Sequence, residues 1–201
     1  MASSKKINHD KTSMNVMDVI YNRRAVRNYF ATKIDQDLID TLLNAAIQAP
    51  TAMHEEPWSF VIIQNKDLLN RLSESTKKLI LAEANHSEPQ KAKHIIDLIK
   101  PAEFNIFYNA GTLIIIYSKF HGSFVSADCW LAAENLMLAA YTNGLGTCVI
   151  GFAVSALNTH EWKRELGVSE EMTAIVPIII GWPAGKTPPS PRKSPEILTW
   201  K

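Results

Sequence analysis

Apolar residues recur along this chain at two spacings, and the spacing separates predicted helices from predicted strands. Between Asp35 and Pro50 they return every three or four residues on one face. That spacing predicts an amphipathic helix that begins at the aspartate and stops before the proline. Asn15 would cap a shorter helix that ends near Tyr21.

Three more helices are predicted downstream, over residues 66–83, 125–141 and 155–165. The second of these has almost no polar face, and Gly144 would end it. Because a helix that is apolar all round must be covered on every side, we expect residues 125–141 in the core or at a subunit interface.

Four short runs rich in β-branched and apolar residues predict buried strands over residues 59–63, 113–117, 147–150 and 175–180. Pro177 within the last run lacks an N–H donor, which favours an edge position or a bulge. Few of the connections look like strand–helix–strand crossovers. We therefore expect an α+β fold around a mixed sheet.

Three stretches carry weaker patterns. Residues 1–13 are predicted to be a polar tail, and residues 14–201 a single domain. Within that domain, the charged stretch 85–103 is predicted to be a lid-like excursion. The proline-rich stretch 182–201 is predicted to be an arm that needs another surface to lie against.

Composition narrows the class of protein. The formal net charge of +1 argues against a nucleic-acid surface built on bulk positive charge. The two cysteines, Cys129 and Cys148, form no Cys-x-x-Cys pair, so a reducing cytoplasm fits better than a disulfide framework. No apolar run approaches the roughly 20 residues of a membrane span.

Several enzyme chemistries lack their motifs. Gly144-Leu145-Gly146 follows a predicted helix and precedes a strand, whereas a dinucleotide-binding loop needs the reverse order. The chain contains no phosphate-binding P-loop, no His-Glu-x-x-His and no Gly-x-Ser-x-Gly motif, and its six histidines are scattered. We therefore expect no metal site, and chemistry carried by a bound cofactor.

Arg23, Arg24 and Arg27 form the most suggestive polar cluster. Their guanidinium groups match phosphate oxygens and keep their charge when partly buried. A solvated basic turn is the alternative interpretation of such a cluster taken alone.

The residues around this cluster resemble the nitroreductase family. Residues 23–30, Arg-Arg-Ala-Val-Arg-Asn-Tyr-Phe, are similar to its opening Arg-Arg-Ser-Val-Arg-x-Phe/Tyr motif. Residues 45–60 resemble its Ala-Pro-Ser-x-x-Asn-x-Gln-Pro-Trp-x-Phe motif, and residues 133–151 its central helix and following strand. Residues 181–193 resemble its closing Gly-Tyr-Pro…Pro-Arg-Lys segment.

The resemblance implies a three-layer α/β/α sandwich with a mixed, mostly antiparallel sheet, in an intertwined homodimer with FMN at the subunit interface. Arg23 and Arg192 would hold the 5′-phosphate, with Arg24 nearby, and Arg27 would face the pyrimidine edge of the flavin. Ala25 stands where many members have serine, so one hydroxyl contact to the cofactor would be missing.

The resemblance also assigns two backbone segments to the flavin ring. The N–H groups of Ile150 and Gly151 would lie at flavin N5, and a loop of the partner subunit would pack on the ring. The implied cofactor-binding set is Arg23, Arg24, Ala25, Arg27, Pro50, Thr51, Ala52, Met53, His54, Glu56, Val149, Ile150, Gly151 and Arg192.

The implied reaction is a ping-pong cycle. NAD(P)H would reduce FMN, and a small electron-poor acceptor such as a nitroaromatic or a quinone would then take the electrons. No side chain is needed as an acid or nucleophile, although His54 is a weak candidate for protonating product or tuning the flavin.

Two positions depart from the usual pattern, because His54 and Glu56 replace Asn and Gln. The resulting His-x-Glu-Pro-Trp also occurs in the iodotyrosine deiodinase branch, whose lid grips its substrate with Glu, Tyr and Lys. That set is not evident here, since no tyrosine lies between Tyr29 and Tyr108, a range that includes the charged excursion. Reductive dehalogenation, other flavin chemistry and a non-catalytic flavin-binding role remain alternatives.

Overall fold

The computed structural model of the protein describes residues 14–84, 89–101 and 103–201. The predicted tail at 1–13 and residues 85–88 and 102 of the predicted excursion lie outside these ranges. The helices are α1 (Val16–Asn22), α2 (Gln36–Ala46), α3 (Lys66–Ala84), α4 (Pro89–Ile99), α5 (Val125–Thr142), α6 (Ala153–Leu157) and α7 (His160–Glu165). The strands are β1 (Trp58–Ile63), β2 (Thr112–Ser118), β3 (Gly146–Val149) and β4 (Thr173–Gly181).

Side-chain caps fix where several helices begin. The Asn15 carboxamide oxygen accepts the N–H of Asp18 at 3.0 Å, and the Asp35 carboxylate accepts the N–H of Leu38 at 2.8 Å. Both predicted starts are confirmed, because each cap satisfies a backbone donor that has no partner within its own helix.

The prediction of one helix over residues 155–165 is wrong. The chain leaves α6 at Asn158, and the Thr159 hydroxyl then accepts the N–H of Trp162 at 3.3 Å to begin α7. A hydrogen-bonding N-cap residue therefore divides a stretch whose apolar spacing alone looks continuous.

The four strands form one sheet in the order β1-β2-β4-β3, and every described strand pair is antiparallel. Parallel pairing occurs as an isolated bridge between Ala25 and Thr147. One face of the sheet packs on α2 and α5, and the other on α3 and α6 with the segment around Phe107. The predicted α+β fold with three layers is confirmed.

Pro177 lies in an inner strand, so the predicted edge position is wrong. β4 pairs with β2 on one side and β3 on the other, and the Pro177 carbonyl accepts the N–H of Ile150 just where β3 ends. The missing proline donor therefore falls at the end of the β3–β4 ladder, where no partner is required. The alternative prediction was a bulge. The register between β2 and β4 does shift two residues from Pro177, where Ile175 has no partner.

The central position predicted for residues 125–141 is confirmed. One face of α5, with eight of its 18 residues, is buried against α2 and the sheet, whereas Trp130 and Leu131 on its outer side are 46% and 45% exposed. None of the described helices is long and apolar enough to cross a membrane.

Candidate functional site

The arginine cluster is held by an extended segment that runs beside β3. Ala25 bridges Thr147, and the N–H of Val26 donates to the Thr147 carbonyl at 2.9 Å. Val26 packs so closely over Gly146 that a Cβ atom there would lie 2.6 Å from the valine Cγ2. The neighbouring arginines are therefore carried on a fixed backbone rather than on a loose turn.

A cavity of about 780 Å³, here named the basic pocket, opens beside this segment. It brings together the predicted phosphate-binding residues of the cluster and the arm. The arm is tied down by Asn28, whose side chain donates to the Ala184 carbonyl at 2.7 Å and whose carbonyl accepts the Ala184 N–H at 2.9 Å. The lining is Arg23, Arg24, Ala25, Arg27, Asn28, Ala184, Gly185, Lys186, Thr187, Pro188, Pro189, Ser190, Pro191 and Arg192.

Two arginines that line this pocket each have a buried Nε with no hydrogen-bond acceptor among the described residues. Arg24 Nη1 donates to the carbonyls of Tyr21 and Arg23 at 2.7 Å, but Arg24 Nε is buried without a partner. Arg23 Nε lies 3.4 Å from a carboxylate oxygen of Glu134, within ion-pair range, yet the geometry does not make a hydrogen bond. Buried donors without acceptors are rare, so the pocket fits an anion with several oxygens.

A second cavity of about 280 Å³, here named the apolar pocket, shares Arg27 with the first. Arg27 stands 5.9 Å from the centre of the Tyr108 ring, and the rings of Phe104 and Tyr108 meet edge to face at 5.7 Å. The lining is Arg27, Phe104, Ile106, Tyr108, Cys148, Val149, Ile150, Gly151 and Phe152. An apolar slot with one cation in its lining suits a flat ring that carries or acquires negative charge.

Burial raises the pKa of the Cys148 thiol, and the charges of Arg27 and Arg23 act against that shift. The thiol is therefore a neutral part of the pocket wall.

The two backbone donors expected at the flavin have different surroundings. The N–H of Ile150 donates to the Pro177 carbonyl at 2.8 Å, so it is not free for a cofactor. The N–H of Gly151 has no acceptor within the described part of the chain, and a Cβ atom at Gly151 would meet nothing within 4 Å. The geometry therefore leaves Gly151 as the candidate donor.

The loop over residues 50–56 does not meet either pocket within one chain, since none of its residues is among their linings. Its centre is a 3-10 turn, Ala52–His54, and Met53 is 88% exposed. Met53, His54 and Glu56 have positive φ angles of 54°, 56° and 45°, which non-glycine residues rarely adopt. The structure thus separates this loop from the rest of the predicted set.

Several lining residues were not predicted from the sequence. Lys186 and Ser190 lie in the arm, where only Arg192 stood out as an anion-binding side chain. Phe104 and Tyr108 directly follow the charged excursion. These two aromatic residues, which lie between the charged stretch and β2, were the signal in the sequence that could have indicated the apolar pocket.

The fold and the two cavities define the class: a three-layer α+β protein whose basic pocket and apolar pocket share Arg27, an arrangement that suits an anionic, ring-bearing ligand. Residues 20–182 match the model of the nitroreductase family, and the chain belongs to that family.

Similar proteins agree with this assignment. A Bacteroides fragilis nitroreductase, solved with bound FMN, is 26% identical with a TM-score of 0.80, covering 94% of this chain and all of that one. A Methanothermobacter thermautotrophicus protein, whose assigned name proposes an NADH dehydrogenase/NAD(P)H nitroreductase, is 27% identical over 86% of this chain and 80% of its own. Human iodotyrosine deiodinase 1 is 27% identical over 56% of this chain, and the match covers 39% of the length of that protein.

Proposed function

We propose that this protein is a homodimeric FMN-dependent oxidoreductase that uses NAD(P)H to reduce small electron-poor acceptors. The observation that carries the proposal is the pairing of the two pockets through Arg27, with unpartnered arginine donors in the basic pocket. The FMN bound to the similar Bacteroides fragilis nitroreductase supports the choice of cofactor.

The basic pocket is proposed to hold the phosphate of FMN. Arg23 and Arg24 offer buried Nε donors, and Arg192 adds a guanidinium from the arm. Arginine donors facing a phosphate dianion make charge-assisted hydrogen bonds, roughly twice as strong as neutral ones. A glycine-rich loop at a helix start, another common means of binding phosphate, is absent from the described residues.

The apolar pocket is proposed to receive the flavin ring. Bound FMN would accept a hydride equivalent from NAD(P)H and deliver electrons to the acceptor. Arg27 in the pocket lining would stabilise negative charge on the reduced ring, and the Gly151 N–H would donate a hydrogen bond to its edge. The apolar walls would keep water away from the reacting atoms.

The homodimer is proposed because one chain leaves both the site and its apolar surface incomplete. The outer faces of α1 and α5 expose Val16, Ile20 and Trp130, and the arm ends with Leu198 90% and Trp200 87% exposed. Large apolar side chains left exposed on several elements are typical of surfaces that a second subunit covers. A second subunit could cover them and bring its loop over residues 50–56, including His54 and Glu56, onto the flavin.

Anaerobic mixing tests the reductase proposal. Protein reconstituted with FMN should lose its yellow absorbance on addition of NADH or NADPH, and recover it when a quinone or nitroaromatic is added. A bound flavin that neither coenzyme bleaches would rule out the proposed activity while leaving flavin binding intact.

Reductive dehalogenation is a second candidate. It is favoured by the similarity to iodotyrosine deiodinases and by the His-x-Glu-Pro-Trp pattern of residues 54–58, which resembles that branch. Release of iodide from 3-iodotyrosine by the chemically reduced protein would support it. Fast turnover of quinones with no iodide release would favour the first proposal.

A further inference from the structure

Asp128 is a buried carboxylate that the proposed reaction does not use. It lies in the first turn of α5 and is 4% exposed, on a helix whose neighbouring residues are apolar. Burying a carboxylate is costly unless it is paired or hydrogen-bonded. No basic side chain forms an ion pair with it within the described ranges.

Its hydrogen-bond partner is a single backbone group 76 residues earlier. The two carboxylate oxygens lie 3.3 Å and 3.2 Å from the nitrogen of Ala52, which donates its N–H between them. The N-terminal end of α5 carries a partial positive charge, which also stabilises the carboxylate. Asp128 therefore joins the central helix to the start of the loop over residues 51–56.

That loop holds an unfavourable conformation with little packing of its own. Met53, His54 and Glu56 all have positive φ angles, and Met53 is almost fully exposed. Such a conformation persists when surrounding contacts determine it. At the far end of the loop Lys119 supplies such a contact, since its Nζ donates to the Glu56 carbonyl at 3.1 Å and its N–H to the Pro57 carbonyl at 2.7 Å.

We propose that Asp128 is a positioning residue for the cofactor, which acts by fixing the loop over residues 51–56 at its Ala52 end. The inference rests on the proposed function, in which this loop packs on the flavin of the partner subunit. Lys119 fixes the other end, so the strained residues between the two contacts are held in one shape before the flavin binds. A loop held in advance loses less conformational freedom on binding.

The test compares Asp128→Ala and Asp128→Asn with Gln64→Ala in the full-length protein. Gln64 is a matched control because it also makes long-range hydrogen bonds, to the Ile34 carbonyl and the Thr112 hydroxyl, but lines neither the basic nor the apolar pocket. The measurements are the FMN Kd, the absorbance spectrum of the bound flavin at saturation, and hydrogen–deuterium exchange over residues 51–56.

Loss of the carboxylate in Asp128→Ala should weaken FMN binding about tenfold, change the spectrum of the bound flavin and speed exchange in the loop. Asp128→Asn keeps one acceptor oxygen and should show a smaller change in the same direction. Gln64→Ala should lower the Tm without altering the Kd or the spectrum.

The positioning role is overturned if folded Asp128→Ala binds FMN with the wild-type Kd and spectrum, or if Gln64→Ala weakens binding as much. If Asp128→Ala does not fold, Asp128→Asn decides, and wild-type behaviour of that variant overturns the proposal. Wild-type protein that binds no FMN would instead refute the proposed function, and the positioning role with it.

Discussion

At the scale of single residues, Arg23 and Arg24 are the strongest sign that the protein holds an anion. Each lines the basic pocket and has a buried Nε with no hydrogen-bond acceptor in the described part of the chain, although Glu134 lies near one of them. Polar groups in the interior are nearly always satisfied, so two neighbouring exceptions mark a binding site more clearly than charge alone.

Arg23→Ala is expected to raise the Kd for FMN about tenfold or more, because it removes charge-assisted hydrogen bonds to the phosphate. Titration of the protein with FMN, followed by flavin fluorescence, measures the change. Arg71→Ala is the control, since Arg71 is an exposed arginine paired with Glu165 at 2.6 Å, away from both pockets. Equal losses in the two variants would contradict the assignment of Arg23.

Gly151→Ala separates folding from cofactor binding. A Cβ atom at this glycine meets nothing within 4 Å, so the Tm should be unchanged. The same methyl group would stand in the apolar pocket, where it should weaken FMN binding several-fold by blocking close approach of the backbone. A variant with lower Tm and unchanged Kd would show that Gly151 is structural only.

The sequence predicted these residues unevenly. Motif similarity selected Arg23, Arg24 and Arg192, and the structure gathers them around one pocket. The motif could not show that the Ile150 N–H already donates to the Pro177 carbonyl. That bond depends on the register between strands, which no local pattern encodes. The roles of His54 and Glu56 stay predictions, since they need a second subunit.

At the scale of elements, the extended segment carrying the arginines depends on its contact with β3. Val26 rests directly on Gly146, and the adjoining backbone bridges Thr147. Glycine is required at that position because any side chain would occupy the space of the valine.

Gly146→Ala should therefore lower the Tm and weaken FMN binding together, by pushing the arginine segment away from β3. The new Cβ would lie 2.6 Å to 2.9 Å from three atoms of the stiff, β-branched Val26 side chain. Adding Val26→Ala should restore part of both losses by making room. No restoration in the double variant would mean that the valine contact is not the cause.

Helix starts were predictable where a capping side chain stands at the right place, as at Asn15 and Asp35. The break between α6 and α7 was missed because Thr159 lies inside an apolar spacing that looks continuous. The inner position of Pro177 was missed because strand order depends on long-range pairing, whereas the proline rule is local.

At the scale of the whole molecule, buried ionisable groups predict how stability depends on pH. Burial, with a smaller effect of Asp128, raises the pKa of Cys129 from 9.0 to about 11, and burial also raises the pKa of Tyr117. Below pH 9 the thiol is neutral in both the folded and the unfolded protein. Above it, the unfolded thiol ionises first, so the free energy of unfolding falls as pH rises.

Urea unfolding between pH 7 and pH 11 checks this prediction. Cys129 alone should reduce the free energy of unfolding by up to about 1.4 kcal/mol per pH unit between its unfolded and folded pKa values. Cys129→Ala should show a shallower decline over the same range, whatever its stability at pH 7. Parallel pH profiles for the two proteins would contradict the assignment.

In the proposed homodimer, a phosphate site, a ring site and a second subunit meet around one flavin. The two pockets come from one chain, whereas the loop over residues 50–56 and the exposed apolar side chains of α5 would meet the partner. Local pattern and motif predict the fold and the residues of the pockets, but the proposed assembly rests on surfaces that a single chain leaves exposed.

Equilibrium binding of FMN compared with riboflavin, which lacks the phosphate, tests the central claim most directly. If the arginines of the basic pocket hold the phosphate, FMN should bind at least about tenfold more tightly than riboflavin. The advantage should shrink in Arg23→Ala. Equal affinity for the two flavins in the wild-type protein, or no binding of either, would contradict the account.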